Sequence, residues 1–332
     1  MRGAELSMKA RKLRRAVAWV EHSIGARWGV AHVFLPRGSS PEIYRRLIRS
    51  LHKRYVYDVL TQTVMVQEGE LVGAKKYGPF CDADFEFALG RYEPEVAAAL
   101  RQHCRPGMTV FDIGANAGHH MILLSRLCGA SGHVHAFEPV PQNVACLHET
   151  LRLNSLRNVR VHPLAISDRE GEAELKFSGI FDGFACLTRG GHGRSECQRA
   201  PRISITVRTS DLDTICSRFG IARVDLIKMD IEGAEMLALN GMTRILSVHR
   251  PVLILELWGT EHIAEAPKLL SRFGYETHTL SVWRGFVQGD FAETSNVLAL
   301  PNPNPESVPI ADDTPCEAET IQKGRGRERN HC

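Results

Sequence analysis

The ten residues Thr109-Val-Phe-Asp-Ile-Gly-Ala-Asn-Ala-Gly118 restrict the fold of this chain more than any other stretch. Val110, Phe111 and Ile113 form a short apolar run of the kind that makes a buried strand. Gly114 and Gly118 then punctuate it. Met121, Leu123, Leu124 and Leu127 follow at helical spacing, so the glycines occupy a strand-to-helix turn. A second apolar run, Val134 to Phe137, ends on Glu138, twenty residues past Gly118. Strand, glycine turn, helix, strand and acid in this order suit a ribose. The glycines let a ligand approach the backbone, and the acid accepts hydrogen bonds from the sugar hydroxyls.

Two details narrow the ligand. The turn reads Asp-x-Gly-x-x-x-Gly and lacks the middle glycine that admits a pyrophosphate in Gly-x-Gly-x-x-Gly. Asp112 also places a carboxylate where a diphosphate would bring further negative charge. A nucleoside with a cationic amino group and no phosphate fits better, and S-adenosylmethionine (SAM) is such a molecule. Asp112 as a turn cap and Glu138 as a solvated strand end would each be ordinary alone; together, at this spacing, they favour a site.

The chain has 332 residues, enough for one large α/β domain with additions or for two domains, and its 43% of apolar residues supplies an ample core. A net charge of +3 is too mild to argue for a nucleic-acid partner. No apolar run approaches the ~20 residues of a membrane-spanning helix. Met1 to Val20 lacks the clean apolar core and small-residue cleavage site of a secretory signal. Nine scattered cysteines without a Cys-x-x-Cys pair read as reduced thiols, so a cytoplasmic location and no structural metal are expected. Cys186, His192 and Cys197 share a glycine-rich loop, where chance placement explains them better than a metal site.

Residues 1–90 read as an extension. Lys9 to Arg15 opens a helix with a basic face and an apolar stripe of Leu13, Val17, Val20 and Ile24. That face suits weak contact with an anionic membrane surface, although a solvated face on a helix packed against the catalytic domain is the simpler expectation. Ser39-Ser-Pro41 starts another helix, and Tyr55 to Phe80 suggests a small hairpin region. From residue 91 to 300 strands and helices alternate. Val159–Val161, Ala173–Phe177, Ile203–Val207, Val224–Asp230 and Pro251–Leu257 read as strands, and Tyr275–Leu280 with Asn296–Leu300 as a closing strand pair. Helices are expected from Glu95, over Val144–Leu153 and Asp211–Cys216, through Leu237, Leu239 and Ile245, and over Ile263–Phe273. This predicts a mostly parallel sheet covered on both faces. Residues 178–202 are expected to form a mobile loop beside the active site, and 301–332 a disordered tail.

Ligands in such sheets bind at the carboxyl ends of the strands. Asp112, Glu138, Ala165 and Asp230 should therefore converge on one cleft. Asp230 ends an apolar strand just before Glu232-Gly233, where an acid has no core role, though it is also placed to cap the following helix.

Four motifs stand in order: Asp112-Ile-Gly-Ala-Asn-Ala-Gly118, Ala136-Phe-Glu-Pro139, Ala165-Ile-Ser-Asp-Arg-Glu-Gly171 and Lys228-Met-Asp-Ile-Glu-Gly-Ala-Glu235. With them, residues 90 to 300 resemble the FkbM family of SAM-dependent methyltransferases. The resemblance implies the class I methyltransferase (Rossmann-like) fold, a seven-stranded sheet with the last strand antiparallel. It also implies O-methylation of hydroxyls on sugars, glycolipids or polyketide-type metabolites. By the same similarity Gly114, Ala115 and Asn116 would line the methionine part of SAM. Glu138, followed by Pro139, would hold the ribose, Ala165 to Ser167 would border the adenine, and Glu93 would lie near the cofactor. His119-His120 departs from the aromatic or aliphatic pair more usual after Gly118.

Methyl transfer to an alcohol needs a nucleophile placed behind the reactive methyl and a group that takes the hydroxyl proton. Asp230 is the first candidate base, Glu232 the second, and His119 or His120 the third. A divalent metal on Asp230 and Glu256 is a minor alternative, since no ligand spacing calls for one. An NAD(P)-dependent oxidoreductase shares the strand, glycine and acid logic, but the pyrophosphate glycine and a Tyr-x-x-x-Lys-type pair are missing. A non-catalytic scaffold would have no use for Asp112, Glu138 and Asp230 together. The expected partner is a small-molecule or carbohydrate acceptor, with no oligomeric state assigned.

Overall fold

Short apolar runs bounded by glycine, proline and polar turns become strands, and longer amphipathic stretches become the helices that cover them. The computed structural model describes residues 57–58, 62–78, 83–177, 185–188, 203–287 and 290–303. The helices expected within residues 9–24 and from Pro41, most of the stretch 178–202 and the tail beyond residue 303 lie outside the described residues.

The first half of the chain forms β1 (Tyr57–Asp58), β2 (Thr63–Met65), β3 (Lys75–Tyr77), α1 (Ala83–Ala88), α2 (Pro94–His103), β4 (Thr109–Ile113), α3 (His119–Cys128), β5 (His133–Phe137), α4 (Pro141–Asn154) and β6 (Val159–His162). Then come β7 (Ala165–Ile166), β8 (Gly171–Phe177), β9 (Cys186–Leu187), β10 (Ile203–Ser210), α5 (Leu212–Phe219), β11 (Leu226–Met229) and α6 (Glu235–Asn240). A π-helical turn at Ile245–His249, β12 (Val252–Trp258), α7 (Gly259–Arg272), β13 (Tyr275–Val287) and β14 (Asp290–Pro301) complete the described chain.

Seven strands make one sheet in the order β13-β14-β12-β11-β4-β5-β6. β12, β11, β4, β5 and β6 run parallel, while β14 is antiparallel to both neighbours. This is the α/β, mostly parallel class I methyltransferase sheet. Its central strands are apolar on both sides because helices cover both faces. Val110, Leu226, Ile254 and Leu298 meet Leu100, Ile122 and Leu124 from α2 and α3. Phe111, Ile227, Met229 and Leu255 meet Ile215, Leu239 and Leu270 from α5, α6 and α7.

Two smaller sheets flank this core. β7, β10, β8 and β9 form one, with Leu175, Phe177, Leu187 and Val207 in its own apolar cluster. β1, β2 and β3 form the other, a three-stranded sheet where a hairpin region is expected. Its residues Val64, Val66, Leu71 and Ala74, with Phe87 of α1, share one apolar cluster with Val96, Leu100 and Met121. The edge strand β3 is closed by side chains of α4: Thr150 Oγ1 accepts from the Tyr77 N–H at 3.0 Å and Asn154 Oδ1 from the Lys75 N–H at 2.8 Å.

Two element boundaries differ from expectation. The helix expected to run through Leu237 and Ile245 stops at Asn240; the next residue, Gly241, packs so close to the segment after β7 that a Cβ there would lie 2.5 Å from the Ser167 carbonyl oxygen. Asp213 then receives the backbone N–H groups of Arg244 and Ile245, starting the π-helical turn. The closing strands run to Val287 and from Asp290, longer than their apolar ends suggest, because each pairs with the other along its length. Cys104, Cys128, Cys146 and Cys216 are buried free thiols, whereas Cys186 is disulfide-bonded, contrary to the expectation of reduced thiols throughout. No described helix is long and apolar enough to cross a membrane.

Candidate active site

Parallel strands deliver their carboxyl ends to one edge, and side chains two apart share a face. Asp112 of β4 is in register with Lys228 of β11, and Glu256 of β12 with Asn296 of β14. Asp230 follows β11 directly. These residues form a polar row across the sheet. Lys228 Nζ lies 3.9 Å from Asp112 and 3.7 Å from Asp230. Glu93, at the start of α2, faces the row across a pocket of about 170 Å³ that Lys228, Asp230, Glu256 and Asn296 also line.

Beside it opens a larger, open-mouthed crevice that encloses about 620 Å³ when the space at its mouth is included. Asp230 lines both cavities. Phe137, Pro139, Leu164, Ala165, Ile166, Leu175 and Leu187 make the crevice's apolar wall, and Asn116, Glu138, Asn143, Asp230 and Glu232 its polar side. Among the described residues no Lys, Arg or His lines it.

Glu138 is 4% exposed and its carboxylate is held in place. Oε2 accepts from the Asn116 N–H at 2.9 Å; Oε1 accepts from the Val140 N–H at 2.8 Å and from Asn143 Nδ2 at 3.3 Å. A carboxylate has about four acceptor positions, so capacity for a ligand hydroxyl remains. Glu93, Asn116 and Glu232 have φ of 39°, 47° and 58°. Non-glycine residues seldom adopt this left-handed conformation, and its concentration here is typical of functional sites.

The glycines also make room for the protein's own backbone and side chains. A Cβ on Gly114 (φ +77°) would lie 1.8 Å from the Asp230 carbonyl oxygen, and one on Gly118 would lie 2.9 Å from Leu147 Cδ2. The close approach of the end of β11 and of α4 to the turn therefore requires glycine at both positions. Gly114 still lines the crevice, whereas Asp112, Ala115 and Gly118 stand behind it. Ser167 is also outside: its N–H donates to Ser210 O at 3.0 Å and its hydroxyl to Asp168 at 3.2 Å. Ala165, flanked by Leu164 and Ile166, does border the crevice as expected.

His119 and His120 turn away from the crevice despite adjoining its loop. His119 Nε2 is 2.9 Å from Asp84 Oδ1, and its ring stacks on Tyr92 at 4.5 Å. His120 Nε2 is 3.6 Å from Glu93 Oε2. Both line a separate cleft against the N-terminal sheet. Burial holds both rings below their usual pKa, in the neutral form. Their position in α3 is set by packing, so neither is placed to act as the base in the crevice.

The FkbM methyltransferase domain model matches residues 112–277, from the polar row to the start of β13. The chain belongs to the FkbM methyltransferase family. It is 31% identical over 162 residues to 31-O-demethyl-FK506 methyltransferase FkbM of Streptomyces tacrolimicus, covering 42% of this chain and 60% of that protein. It is 29% identical over 168 residues to 2-O-methyltransferase NoeI of Sinorhizobium fredii, covering 47% and 68%. It is also 29% identical over 185 residues to the hexuronic acid methyltransferase AglP of Haloferax volcanii, covering 54% and 69%. The matched region thus spans about 60 to 70% of these relatives.

Several residues of this FkbM-family site escaped the sequence reading. Asn143 braces Glu138 and reaches Asn116 Oδ1 at 3.2 Å; its place in the first turn after the Glu138 strand was the available signal. Leu175 and Leu187 come from the second sheet, whose pairing no local pattern announces. Fully buried Glu235 accepts from the Gly233 N–H at 2.9 Å and contacts His262 Nδ1 at 3.2 Å, shaping the turn that carries Glu232.

Burial pushes the Glu138 carboxyl up to about 7, against its hydrogen bonds from Val140, Asn116 and Asn143. Burial likewise lifts Asp112 to about 6, with Lys228 opposing and Asp230 and Glu93 reinforcing the rise. For Glu138, between the ordinary 4.5 and the folded value, the native state binds more protons than the unfolded. Its contribution to stability is therefore present at acid pH and lost as pH rises towards about 7. From about pH 5 to 8 the parent's melting temperature should fall by a margin that Glu138→Gln does not share, although the Gln amide sets an NH2 against one of the two backbone N–H donors and lowers stability at every pH. SAM affinity should rise over the same window, because the ionised carboxylate is the stronger acceptor for ribose hydroxyls; a flat profile from titration calorimetry would contradict an ionised Glu138 in the site.

Proposed function

We propose that this chain is a SAM-dependent O-methyltransferase that transfers a methyl group to a hydroxyl of a sugar, glycolipid or secondary metabolite, with residues 91–300 as its catalytic unit. One observation carries the reading: three carboxylates line a crevice that has an apolar wall and no cationic side chain among its described residues. A pyrophosphate cofactor would meet only negative charge there, whereas a sulfonium nucleoside is attracted. Behind the crevice a single Lys228 stands among Asp112, Asp230, Glu93 and Glu256, so the site as a whole remains acidic.

In this reading Glu138 accepts from the ribose hydroxyls, with Asn143 and the Asn116 N–H fixing its orientation. Leu164 to Ile166, Leu175 and Leu187 cover the adenine, and Gly114 and Asn116 border the methionine end. SAM supplies an already activated methyl, so the protein's task is to place the hydroxyl and remove its proton. Asp230, shared by the two cavities, is positioned for proton removal, and Glu232 is the alternative. Burial, then Asp230, Glu232 and Glu93, push Glu256 up to about 10 against the pull of Lys228. Glu256 is therefore neutral near pH 7 and does not compete with Asp230 as base. Names among the relatives include a 2-O-methyltransferase and a hexuronic acid methyltransferase, which supports a carbohydrate acceptor.

Thermal shift and calorimetry with SAM, S-adenosylhomocysteine and NADPH test the cofactor. Stabilisation by the first two and none by NADPH is expected; the reverse would favour an oxidoreductase. Glu138→Ala removes the ribose acceptor and leaves the Asn116 and Val140 N–H groups without their partner, a loss of about 1–3 kcal/mol each when buried. S-adenosylhomocysteine affinity should fall at least about tenfold.

A further inference from the structure

Lys76, Asp84 and His119 form an ion cluster inside the apolar core. Lys76 and Asp84 are fully buried and His119 is 6% exposed. Lys76 Nζ lies 2.7 Å from Asp84 Oδ1 and 2.9 Å from Oδ2, and His119 Nε2 lies 2.9 Å from Oδ1. Burying such a cluster costs desolvation energy, and apolar residues of similar size often stabilise a core as well or better. Stability alone does not account for it.

Its position does. Lys76 belongs to β3 and Asp84 to α1, in the N-terminal layer outside the span matched by the family model. His119 is the first residue of α3 and directly follows the turn that carries Gly114 and Asn116. Phe87 meets the His119 ring edge-on at 4.9 Å, Tyr92 stacks on its face at 4.5 Å, and the hydrogen bond to Asp84 fixes the ring's rotation between them. Tyr92 in turn precedes Glu93, whose left-handed backbone presents its carboxylate to the pocket shared with Asp230. His119 therefore joins both lips of the site, the cofactor turn on one side and the Tyr92-Glu93 segment on the other.

We propose that Lys76 and Asp84 are positioning residues: through His119 they hold the 114–118 turn and Tyr92-Glu93 in the arrangement that binds the cofactor. This assigns the N-terminal sheet a part in the site, and it rests on the reading of the crevice as a SAM site. Asp84 acts as the acceptor for His119, and Lys76 makes its buried charge tolerable.

Two double variants separate this role from simple packing. Lys76→Met with Asp84→Asn removes both charges but keeps an acceptor for His119. Lys76→Met with Asp84→Ala removes both charges and the acceptor. S-adenosylhomocysteine binding by calorimetry and melting temperature are measured for each and for the parent protein. The Asn pair should bind within about twofold of the parent, and the Ala pair at least about tenfold more weakly while still melting cooperatively. His119→Asn should weaken binding less in the Ala background than in the parent, since the Asp84 contact is already gone and only the ring contacts with Tyr92 and Phe87 remain to be lost; equal losses in both backgrounds would overturn the proposal. Equal affinity for both pairs, whether retained or lost, overturns the proposal, as does loss of binding only where cooperative melting is lost. A parent protein that does not bind S-adenosylhomocysteine would instead overturn the cofactor assignment on which the proposal stands.

Discussion

Asp230→Asn should leave cofactor binding intact and, if the proposed assignment of Asp230 as the base holds, slow methyl transfer by about 10²–10⁴-fold, the usual contribution of a general base. The substitution preserves shape and one acceptor oxygen, and Lys228 keeps Asp112 at 3.9 Å, so the polar row loses a charge without losing its packing. What it removes is the carboxylate shared by the cofactor crevice and the acidic pocket. With the acceptor in hand, kcat should fall while the KM for SAM stays within a few fold, the pattern of an interaction made only in the transition state. Glu232→Gln should cost less. An Asp230→Asn enzyme with full turnover would remove Asp230 from the chemistry and move the assignment to Glu232.

Gly114→Ala should be the most damaging single methyl group in the described chain. The added Cβ would sit 1.8 Å from the Asp230 carbonyl oxygen, and the backbone there is left-handed at φ +77°. The left-handed conformation alone costs about 1–2 kcal/mol for an L-residue. Relieving the overlap must also part β4 from the end of β11, where the Asp230 N–H donates to Ile113 O at 3.0 Å. A total of more than about 3 kcal/mol is expected, which lowers the melting temperature by roughly 10 °C for a domain of this size. S-adenosylhomocysteine binding should be lost with it, because the displaced strand carries Asp230. Gly73→Ala is the control: φ is +84° but a Cβ there meets nothing within 4 Å, so only the backbone term remains. Equal melting temperatures for the two variants would show that the close approach carries no energetic weight.

The two variants mark how far local sequence reaches. The strand, turn and helix around Gly114, the acid on Glu138 and the strand carrying Asp230 were legible because hydrophobic runs and turn residues act over a few neighbours. Parallel strands bring their ends to one edge, so convergence of these acids followed from topology alone. The direction of His119-His120 was not legible. It depends on Asp84, Tyr92 and Phe87, which lie 27 to 35 residues earlier in the chain and act through buried contacts. The same holds for Gly241, where the Ser167 backbone leaves no room for a Cβ.

By itself the sequence determined a mostly parallel α/β sheet and the acids expected at its carboxyl edge, because these rest on periodic burial, while the seven strands and the family were implied by the resemblance that its four motifs carry. Only the tertiary structure decided which of those residues face the crevice and which stand behind it, what each glycine makes room for, and that the N-terminal sheet shares the core. Those outcomes are fixed by packing between distant segments, where a few tenths of an ångström separate a contact from a clash.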